Sequence, residues 1–473
     1  MRMQSLLAAA VVIVAACSPN LSPSSAPPAS PPPSPALAAS ASTPAVTVAA
    51  PTPSASRSSW RTYHAPASTD VSQVIEGAGG AVYVALNDNS GRHAQVVELE
   101  RDGSVVTGWP ATLGQGAIWD LFPLADSSVI AVSGDPSGAG SSYVTLINPD
   151  GQVRNGWPQK VPARATPVVA AGDGTMYTSV NIKNGARLFA FGEDGRARPG
   201  WPVDLSGGVS ANSLMLGPHG WIYAFTGTAD ASSLAAIRPD GTSAPGWPFT
   251  VQGGSLDAIA FEPGGDVVAA LSDTIVVLGP DGKSRPGWPK NGYRSIGALA
   301  VGPDGGIYAA PAFVNGKVQF QVLAFNPDGT AKVDWRPFLA PSGRWITGLT
   351  VVADGTVYAT LSHFDGASPD VIVAIGPEGK QLASWSTSAD SWGAIPVFAP
   401  DGTMYALGSP TSRTTTSSIV AYDEKGPKAG WPQTMPAGGI RLLPRGDGSL
   451  IVGINGAAGS QVIAFSADGV PLP

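Results

Sequence analysis

The residues best suited to form a binding site recur in one short stretch of a repeated unit. The first turn of each unit contains an Asp or an equivalent residue. Trp345 and Trp392 lie nine residues before this turn residue in their units, and Trp119 lies seven residues before it. Charged residues occupy the same stretches where other units have Gly, Ser or Ala: Asp120, Asp257, Arg294, Arg344, Asp390 and Arg441. Clustered tryptophan and arginine are typical of surfaces that recognise protein or sugar. The alternative is that the tryptophans fill gaps between units.

Catalytic chemistry has weaker support in the sequence. Glycoside hydrolysis would require two of Asp120, Asp257 and Asp390 to converge about 5 to 9 Å apart. The sequence has no GxSxG elbow, no P-loop and no HExxH motif. Its histidines, scattered without metal-ligand spacing, are His64, His93, His219 and His363. Its Asp-Gly pairs lack the DxDxDG spacing of a calcium loop, so we expect turns at these positions and no metal site.

An export and lipidation signal occupies the first 17 residues. Arg2 is followed by an apolar run of 11 residues at 6–16, which is too short to span a bilayer of about 30 Å. Val14-Ala15-Ala16-Cys17 resembles the bacterial lipobox, in which the cysteine is acylated and becomes the mature N-terminus. We therefore predict a signal peptide over 1–16, lipidation of Cys17, and a membrane-anchored protein that faces the extracytoplasmic side of a bacterial envelope. The alternative is a plain signal peptide before a chance cysteine.

Residues 17–58, which begin with Cys17, predict a disordered linker. Of residues 18–58, 11 are Pro, 11 Ser, 10 Ala and 3 Thr, and Arg57 is the only charged residue. Such a composition cannot bury a core and favours extended, polyproline-like chain. At about 3.1 Å per residue, this segment could extend on the order of 100 Å.

From residue 59 to 473 the chain repeats. GWP occurs at 108–110, 156–158, 200–202, 246–248, 287–289 and 430–432, with weaker copies around Trp335 and Trp385. Each copy follows a PDG-like turn, and six of nine units have a tyrosine in an earlier strand, at Tyr83, Tyr177, Tyr223, Tyr308, Tyr358 and Tyr405. Because alternating apolar residues predict strands and PDG predicts tight turns, each unit of about 46 residues predicts one four-stranded propeller blade. The predicted class is all-β, as a single closed propeller.

The number of units and their ends predict how the ring closes. Nine units are present, and the last, at 440–469, lacks a following Trp. A strand around Trp60 precedes the first unit, so we expect the N-terminal strand to complete the last blade and remove the open sheet edge. The alternative is eight blades and one distorted unit.

The pattern A-(F/I/Y)-x-x-D-G-x(4)-G-W resembles the tryptophan-docking repeat of quinoprotein-type (PQQ-like) β-propellers over residues 60–473. The resemblance implies that repeat tryptophans hold neighbouring blades together, here Trp60, Trp109, Trp157, Trp201, Trp247, Trp288, Trp335, Trp385 and Trp431. Many dehydrogenases of that family stack PQQ against adjacent cysteines and carry a calcium cluster. This chain has no cysteine except Cys17 and no recognisable cluster, so we expect neither PQQ nor a metal. The family also includes non-catalytic members, among them membrane-anchored lipoproteins that scaffold other envelope proteins.

These features together favour a binding or scaffolding module for an envelope protein, monomeric and anchored by lipid, and not an enzyme. A net charge of −7 without a basic run argues against nucleic acid as a partner. The alternative function is binding or conversion of a glycan or small molecule in the axial funnel. A quinone-dependent dehydrogenase is the least favoured alternative.

Overall fold

The computed structural model describes residues 59–472 apart from 115, 135–139, 166–167, 184, 228–230, 253–255, 272, 365–369, 387–395, 409–415, 424–425, 437–439 and 457–458. The predicted signal peptide, Cys17 and the predicted linker lie outside these residues. The described residues form nine antiparallel sheets arranged as the blades of a β-propeller, without an α-helix. None of their helices is long and apolar enough to cross a membrane. The all-β class and the nine-blade count are therefore confirmed.

Each blade has four strands in sequential order, numbered here by blade along the chain. The innermost strands of blades 1 to 9 are Thr69–Glu76, Ala117–Pro123, Val169–Ala170, Gly208–Leu216, Leu256–Phe261, Tyr293–Val301, Arg344–Val351, Val397–Phe398 and Ile440–Pro444. The second strands are Val82–Asp88, Val129–Gly134, Met176–Ile182, Ile222–Gly227, Val267–Leu271, Ile307–Val314, Val357–His363, Met404–Gly408 and Leu450–Gly456.

The outer half of each blade completes the sheet. The third strands are Ala94–Leu99, Ser142–Ile147, Gly185–Phe191, Ala231–Ile237, Thr274–Leu278, Gln321–Phe325, Val371–Ile375, Thr416–Asp423 and Gly459–Phe465. The outermost strands are Ala111–Leu113, Gln159–Val161, Val203–Ser206, Phe249–Gln252, Lys290–Asn291, Phe338–Leu339, Gln381–Ser386, Gln433–Pro436 and, for blade 9, Tyr63–His64. Short additional strands are Lys317–Val318 and Gly426–Pro427, and single 3-10 turns are Ala78–Gly80 and Pro218–Gly220.

The N-terminal strand closes the ring, as the sequence predicts. Tyr63 pairs with Val462 and His64 with Gln461, so the first strand of the chain completes the last blade. The strand covers Tyr63–His64 and begins after Trp60. Trp60 packs in the core instead: it is only 2% exposed, and its indole N–H donates to the Val462 carbonyl at 3.4 Å. Strand exchange therefore joins blades 9 and 1.

Neighbouring blades meet where a GW pair contacts the PDG-like turn of the next blade. Trp109 Nε1 of blade 1 donates to the Pro149 carbonyl of blade 2 at 3.1 Å. Gly108 and Gly151 lie backbone against backbone, and a Cβ added to Gly151 would lie 2.4 Å from the Gly108 carbonyl oxygen. Indole hydrogen bonds to the same turn of the following blade are also made by Trp157, Trp201, Trp247, Trp288 and Trp431. This contact requires glycine on both sides.

Two joints use a different hydrogen bond. Trp60 and Trp335 are followed by arginine in place of proline, and their indoles donate to carbonyls of their own blades, those of Val462 and Val322. The arginine backbone supplies the N–H that proline lacks. Arg61 N donates to Asp102 O at 2.6 Å, and Arg336 N donates to Glu378 O at 3.0 Å, each in the turn of the next blade. The contact between blades is thus preserved by main-chain hydrogen bonds.

The repeated tyrosines and tryptophans pack against each other in the core. The six tyrosines each contact the tryptophan of their own blade, with ring centroids 5.2 to 6.2 Å apart. Blades 2 and 5 have Ile130 and Val268 at the tyrosine position. Their tryptophans, Trp157 and Trp288, contact phenylalanines of the next blade at 5.9 and 5.7 Å. Such ring pairs contribute about 0.5 to 1.5 kcal/mol beyond burial, so eight of the nine repeat tryptophans have a stabilising aromatic contact among the described residues.

The glycine contact can be tested with a matched pair of substitutions. Gly151 and Gly402 have similar φ values, +79° and +84°, but a Cβ at Gly402 would meet nothing within 4 Å. Gly402→Ala should lower the free energy of unfolding by about 1 to 2 kcal/mol, the cost of left-handed backbone alone. Gly151→Ala should lower it further, because its Cβ also displaces the Gly108 carbonyl. Chemical unfolding measures both, and equal losses would contradict the proposed contact.

Candidate functional site

The antiparallel order of strands gives the propeller two distinct faces. On the turn face, PDG-like turns join the third and fourth strands, and the repeat tryptophans contact them. On the upper face, the innermost strands begin and the second strands end. Trp119, Asp120, Asp257, Arg294, Arg344, Trp345 and Arg441 all lie within the first four residues of an innermost strand. Strand direction therefore brings these predicted residues to the upper face.

The predicted residues are distributed around the ring and do not form a single cluster. They belong to blades 2, 5, 6, 7 and 9, and Asp120 and Asp257 are three blades apart. Asp390 and Trp392 lie outside the described residues. Among the described residues, no group of three or more His, Cys, Asp or Glu is placed to hold a metal ion. The upper face is therefore best described as several local groups.

Trp119 occupies a β-bulge at the start of the innermost strand of blade 2. Ile118 pairs with Ser133 and Asp120 with Val132, so Trp119 is the extra residue. Its half-buried ring packs against the core between blades 2 and 3, and its buried indole N–H has no acceptor among the described residues. The exposed guanidinium of Arg164, from the next blade, lies 4.5 Å from the ring centroid. Packing plus a cation–π contact of about 0.5 to 1 kcal/mol accounts for this position.

The bulge recurs at the corresponding residue of other innermost strands. The bulged residues of blades 1, 2, 5 and 7 are Ser72, Trp119, Asp257 and Thr347. A bulge redirects a side chain and interrupts strand pairing. It therefore explains why residues of very different chemistry occur at this position.

Side-chain amides of the preceding blade bond the backbone beside these bulges. Asn87 Nδ2 donates to Ile118 O at 2.8 Å, and Ile118 N donates to Asn87 Oδ1 at 2.7 Å. Gln73 bonds the next residues in the same way, donating to Trp119 O at 2.8 Å and accepting from Leu121 N at 2.9 Å. These amides satisfy main-chain groups that strand pairing does not reach.

The same arrangement crosses the joint between blades 9 and 1. Asn455 accepts from Val71 N at 2.7 Å and donates to Val71 O at 2.9 Å, while Arg441 Nε donates to Ser72 O at 2.8 Å. Sequence analysis did not identify these asparagines, although Asn87 follows Tyr83 by four residues and Asn455 occupies the same position of blade 9. Arg441, a predicted binding residue, therefore also contacts the backbone of the adjoining blade.

Asp120 has a perturbed carboxyl pKa. Its side chain extends to blade 3, where it accepts from Val168 N at 3.1 Å. Burial raises the pKa of Asp120 to about 6, against the lowering effect of hydrogen bonds from Val168, Gln73 and Leu121. The carboxyl therefore changes charge at mildly acidic pH.

An aromatic group covers the upper end of blade 7. The rings of Trp345 and Phe364 are nearly parallel, with centroids 6.5 Å apart and an interplanar angle of 17°. Phe364 is 56% exposed and also contacts Phe320 of blade 6 at 5.2 Å. Arg344 donates to the Leu361 carbonyl at 3.2 Å beside this group. Sequence analysis missed both phenylalanines, because they lie in the connections between second and third strands, whose lengths vary.

Arg294 belongs to a second apolar group on blade 6. Its guanidinium lies 6.0 Å from the ring centroid of Phe313, the residue opposite it on the second strand. Phe313 is in turn paired with Val318, which is 66% exposed. Exposed apolar side chains next to arginine occur at protein interaction sites.

Comparison with known proteins supports the fold but does not assign a family or a function. No family model matches the chain, and no curated protein matches it. The crystal structure of the eukaryotic initiation factor aligns at a TM-score of 0.53 with 12% identity, covering 79% of this chain and 90% of that chain. The Dos1 propeller aligns at 0.43 with 11% identity, over 64% and 76%. A quinonprotein alcohol dehydrogenase-like protein from Bacteroides thetaiotaomicron aligns at 0.34 with 14% identity, over 68% and 66%. The nine blades make the protein a β-propeller, a fold suitable for a binding module, and the alignment with the initiation factor supports the fold alone.

The environment of Asp120 predicts a specific pH dependence of stability. A folded-state pKa of about 6, above the unfolded value of about 3.9, stabilises the fold at low pH, and this contribution is lost as the pH rises to 6. Asp120→Asn should therefore become more stable relative to wild type between about pH 4 and pH 7, measured by urea unfolding.

Asp204→Asn provides a control of opposite sign. Arg187 bonds both Asp204 oxygens, at 2.6 and 2.7 Å, and lowers the pKa of this carboxyl. The variant should lose stability relative to wild type as the pH rises through the acidic range where Asp204 ionises. A flat difference for Asp120→Asn would show that its carboxyl is not perturbed in solution.

Proposed function

We propose that this protein is a lipid-anchored, extracytoplasmic β-propeller of a bacterial envelope that binds or scaffolds an envelope protein through its upper face. In this proposal Cys17 carries the lipid, residues 18–58 are the tether, and neither PQQ nor a metal takes part. The observation that carries the proposal is the exposed aromatic and basic surface of the upper face at blades 6 and 7. This surface includes the aromatic Phe364, which is 56% exposed, and the neighbouring aliphatic Val318, which is 66% exposed.

The point at which the chain joins the propeller supports this use of the upper face. Trp60 and Arg61 lie at the turn face, where Arg61 N bonds Asp102 O in the turn of blade 1. The chain then runs along the outer edge of blade 9 until Ala65 N bonds Ser460 O at the opposite end of that sheet. The described chain therefore enters the propeller at the turn face, opposite the upper face.

The residues of the upper face suit protein recognition. Large exposed aromatic residues and arginine contribute disproportionately to protein interfaces. Aromatic rings bury much surface with few rotatable bonds, and a guanidinium offers several hydrogen-bond donors. Arg294, Arg344, Trp345 and Phe364 all lie on neighbouring blades. A rigid propeller also avoids much of the ordering cost of binding.

A glycan is the second candidate ligand. The nearly parallel rings of Trp345 and Phe364 present a flat apolar surface whose outer ring, Phe364, is exposed. A sugar ring has a matching flat apolar face, and its hydroxyl groups could bond nearby polar groups. The proposed protein partner and a glycan would therefore compete for the same aromatic group.

The lipid anchor is tested by substitution of its cysteine. Cys17→Ser should abolish incorporation of a clickable palmitate analogue and move the protein from the membrane to the soluble fraction, because the thiol that bears the lipid is lost. Ser18→Ala, which keeps Cys17, should behave as wild type. Continued labelling of the Cys17→Ser protein would refute the anchor.

The binding function is tested by crosslinking in cells. The lipidated protein should crosslink to one dominant envelope protein, and a Trp345→Ala/Trp392→Ala variant should lose this product, because truncation removes the aromatic contact surface. Val333→Ser is the matched control, since Val333 is 92% exposed in the segment that leads to Trp335 on the turn face. Capture of glycan fragments would favour the second candidate, and no specific product would refute both.

A further inference from the structure

The second and third strands of blade 6 form a hairpin that extends past the end of their main pairing. Ile307–Val314 pairs with Gln321–Phe325 only from Ile307 to Ala309, and then with Lys317–Val318. Asn315 and Gly316 make the turn with φ values of +49° and +76°, as a two-residue hairpin turn requires. We refer to residues 311–320 as the blade 6 hairpin. We propose that it docks an acidic segment of the partner protein that also carries aromatic or aliphatic side chains.

This inference rests on the proposed protein-binding function and specifies its site. One row of side chains crosses three strands, because Arg294, Phe313 and Val318 are directly opposite one another. Residues opposite each other in antiparallel strands project to the same side. Val318 is 66% exposed, so this row offers an apolar contact next to a guanidinium.

The other end of the hairpin continues into the aromatic group of blade 7. Phe320 contacts Phe364 at 5.2 Å, and Phe364 is 56% exposed. The hairpin therefore has apolar side chains at its tip and at its base. An extended partner segment could contact Val318 and Phe364 together.

The local charge indicates which partner fits. The protein carries a net charge of −7, but the acidic residues between 289 and 364 all lie in or next to turns of the turn face: Asp304, Asp328, Asp334 and Asp354. In the connection after Phe364, Asp370 is buried, 2% exposed, and Asp365 lies outside the described residues. The upper face of this stretch carries Arg294, Lys317 and Arg344. Asp273 of blade 5 offsets one of these charges. Because complementary charge steers and orients partners, an acidic apolar segment is favoured over a basic one.

The test uses the full mature chain in nanodiscs of neutral lipid and three short fluorescent peptides. The first peptide alternates Glu pairs with Leu-Phe, the second has Lys in place of Glu, and the third has Gly-Ser in place of Leu-Phe. Fluorescence anisotropy should show binding of the first peptide, with the other two about tenfold weaker or more. Its affinity should fall with added salt, because exposed charges are screened.

Variants locate the bound peptide. Val318→Ser and Phe364→Ser should each weaken the first peptide about fivefold to tenfold through lost apolar contact. Arg294→Gln/Lys317→Gln should weaken it and reduce its salt dependence. Val333→Ser makes the same substitution as Val318→Ser, but at an exposed valine of the turn face, and should have no effect.

The outcomes separate this inference from the proposed function. Equal binding of the Lys peptide, or an equal effect of Val333→Ser, would overturn the docking site. So would a crosslinked partner in cells that persists in the Val318→Ser and Phe364→Ser proteins, although the proposed function would then stand. Binding of anionic vesicles or glycan in place of the peptide would also overturn it. Absence of any cellular partner would refute the proposed function itself.

Discussion

The contact between a GW pair and the glycine of the next turn is the constraint on which the propeller depends. Gly108 and Gly151 approach so closely that neither has room for a Cβ, and the Trp109 indole adds a hydrogen bond to the same turn. Where the chain has Trp-Arg, at Trp60 and Trp335, the arginine N–H makes the bond to the next turn. At these eight joints, six with GW and two with Trp-Arg, the distance between blades is thus maintained by two different sets of hydrogen bonds. Since the ring closes only if every joint fits, this spacing also determines where the innermost strands lie.

The innermost strands meet a different requirement at the upper face. A bulge near the start of several of these strands leaves main-chain groups without strand partners, and Asn87, Gln73 and Asn455 bond them from the preceding blade. These amides let the bulged position itself vary, as in Ser72 and Trp119. The variety of side chains at this position therefore depends on polar residues of the preceding blade that bond the main chain.

The sequence predicted those features that each unit encodes locally. Every unit has its own turns and alternating strands, so the blade count and the closing strand followed from the repeat alone. Strand direction also indicated that Trp119 and Arg344 share a face. Side-chain contacts between blades on the upper face were not predictable, because the pairing of Arg164 with Trp119 depends on the register of a bulge and on how two blades pack. Phe364 was missed since no repeat position corresponds to it, and its importance is evident only from its exposure and its contact with Phe320.

Between residues 289 and 364, the acidic residues lie in or next to turns of the turn face, where the repeat places the Asp of each turn. On the turn face, carboxylates form ion pairs within a blade: Asp126 pairs with Arg154, and Asp304 pairs with Lys332. Turn aspartates such as Asp150 also accept a hydrogen bond from the backbone two residues on. A partner that used these groups would compete with the turns that hold the blades together. Among the described residues, Arg294 contacts the Phe313 ring and neither Arg294 nor Lys317 pairs with a carboxylate, so a partner can neutralise them without weakening a joint. Recognition at the upper face is therefore compatible with an intact ring, whereas recognition at the turn face would act against it.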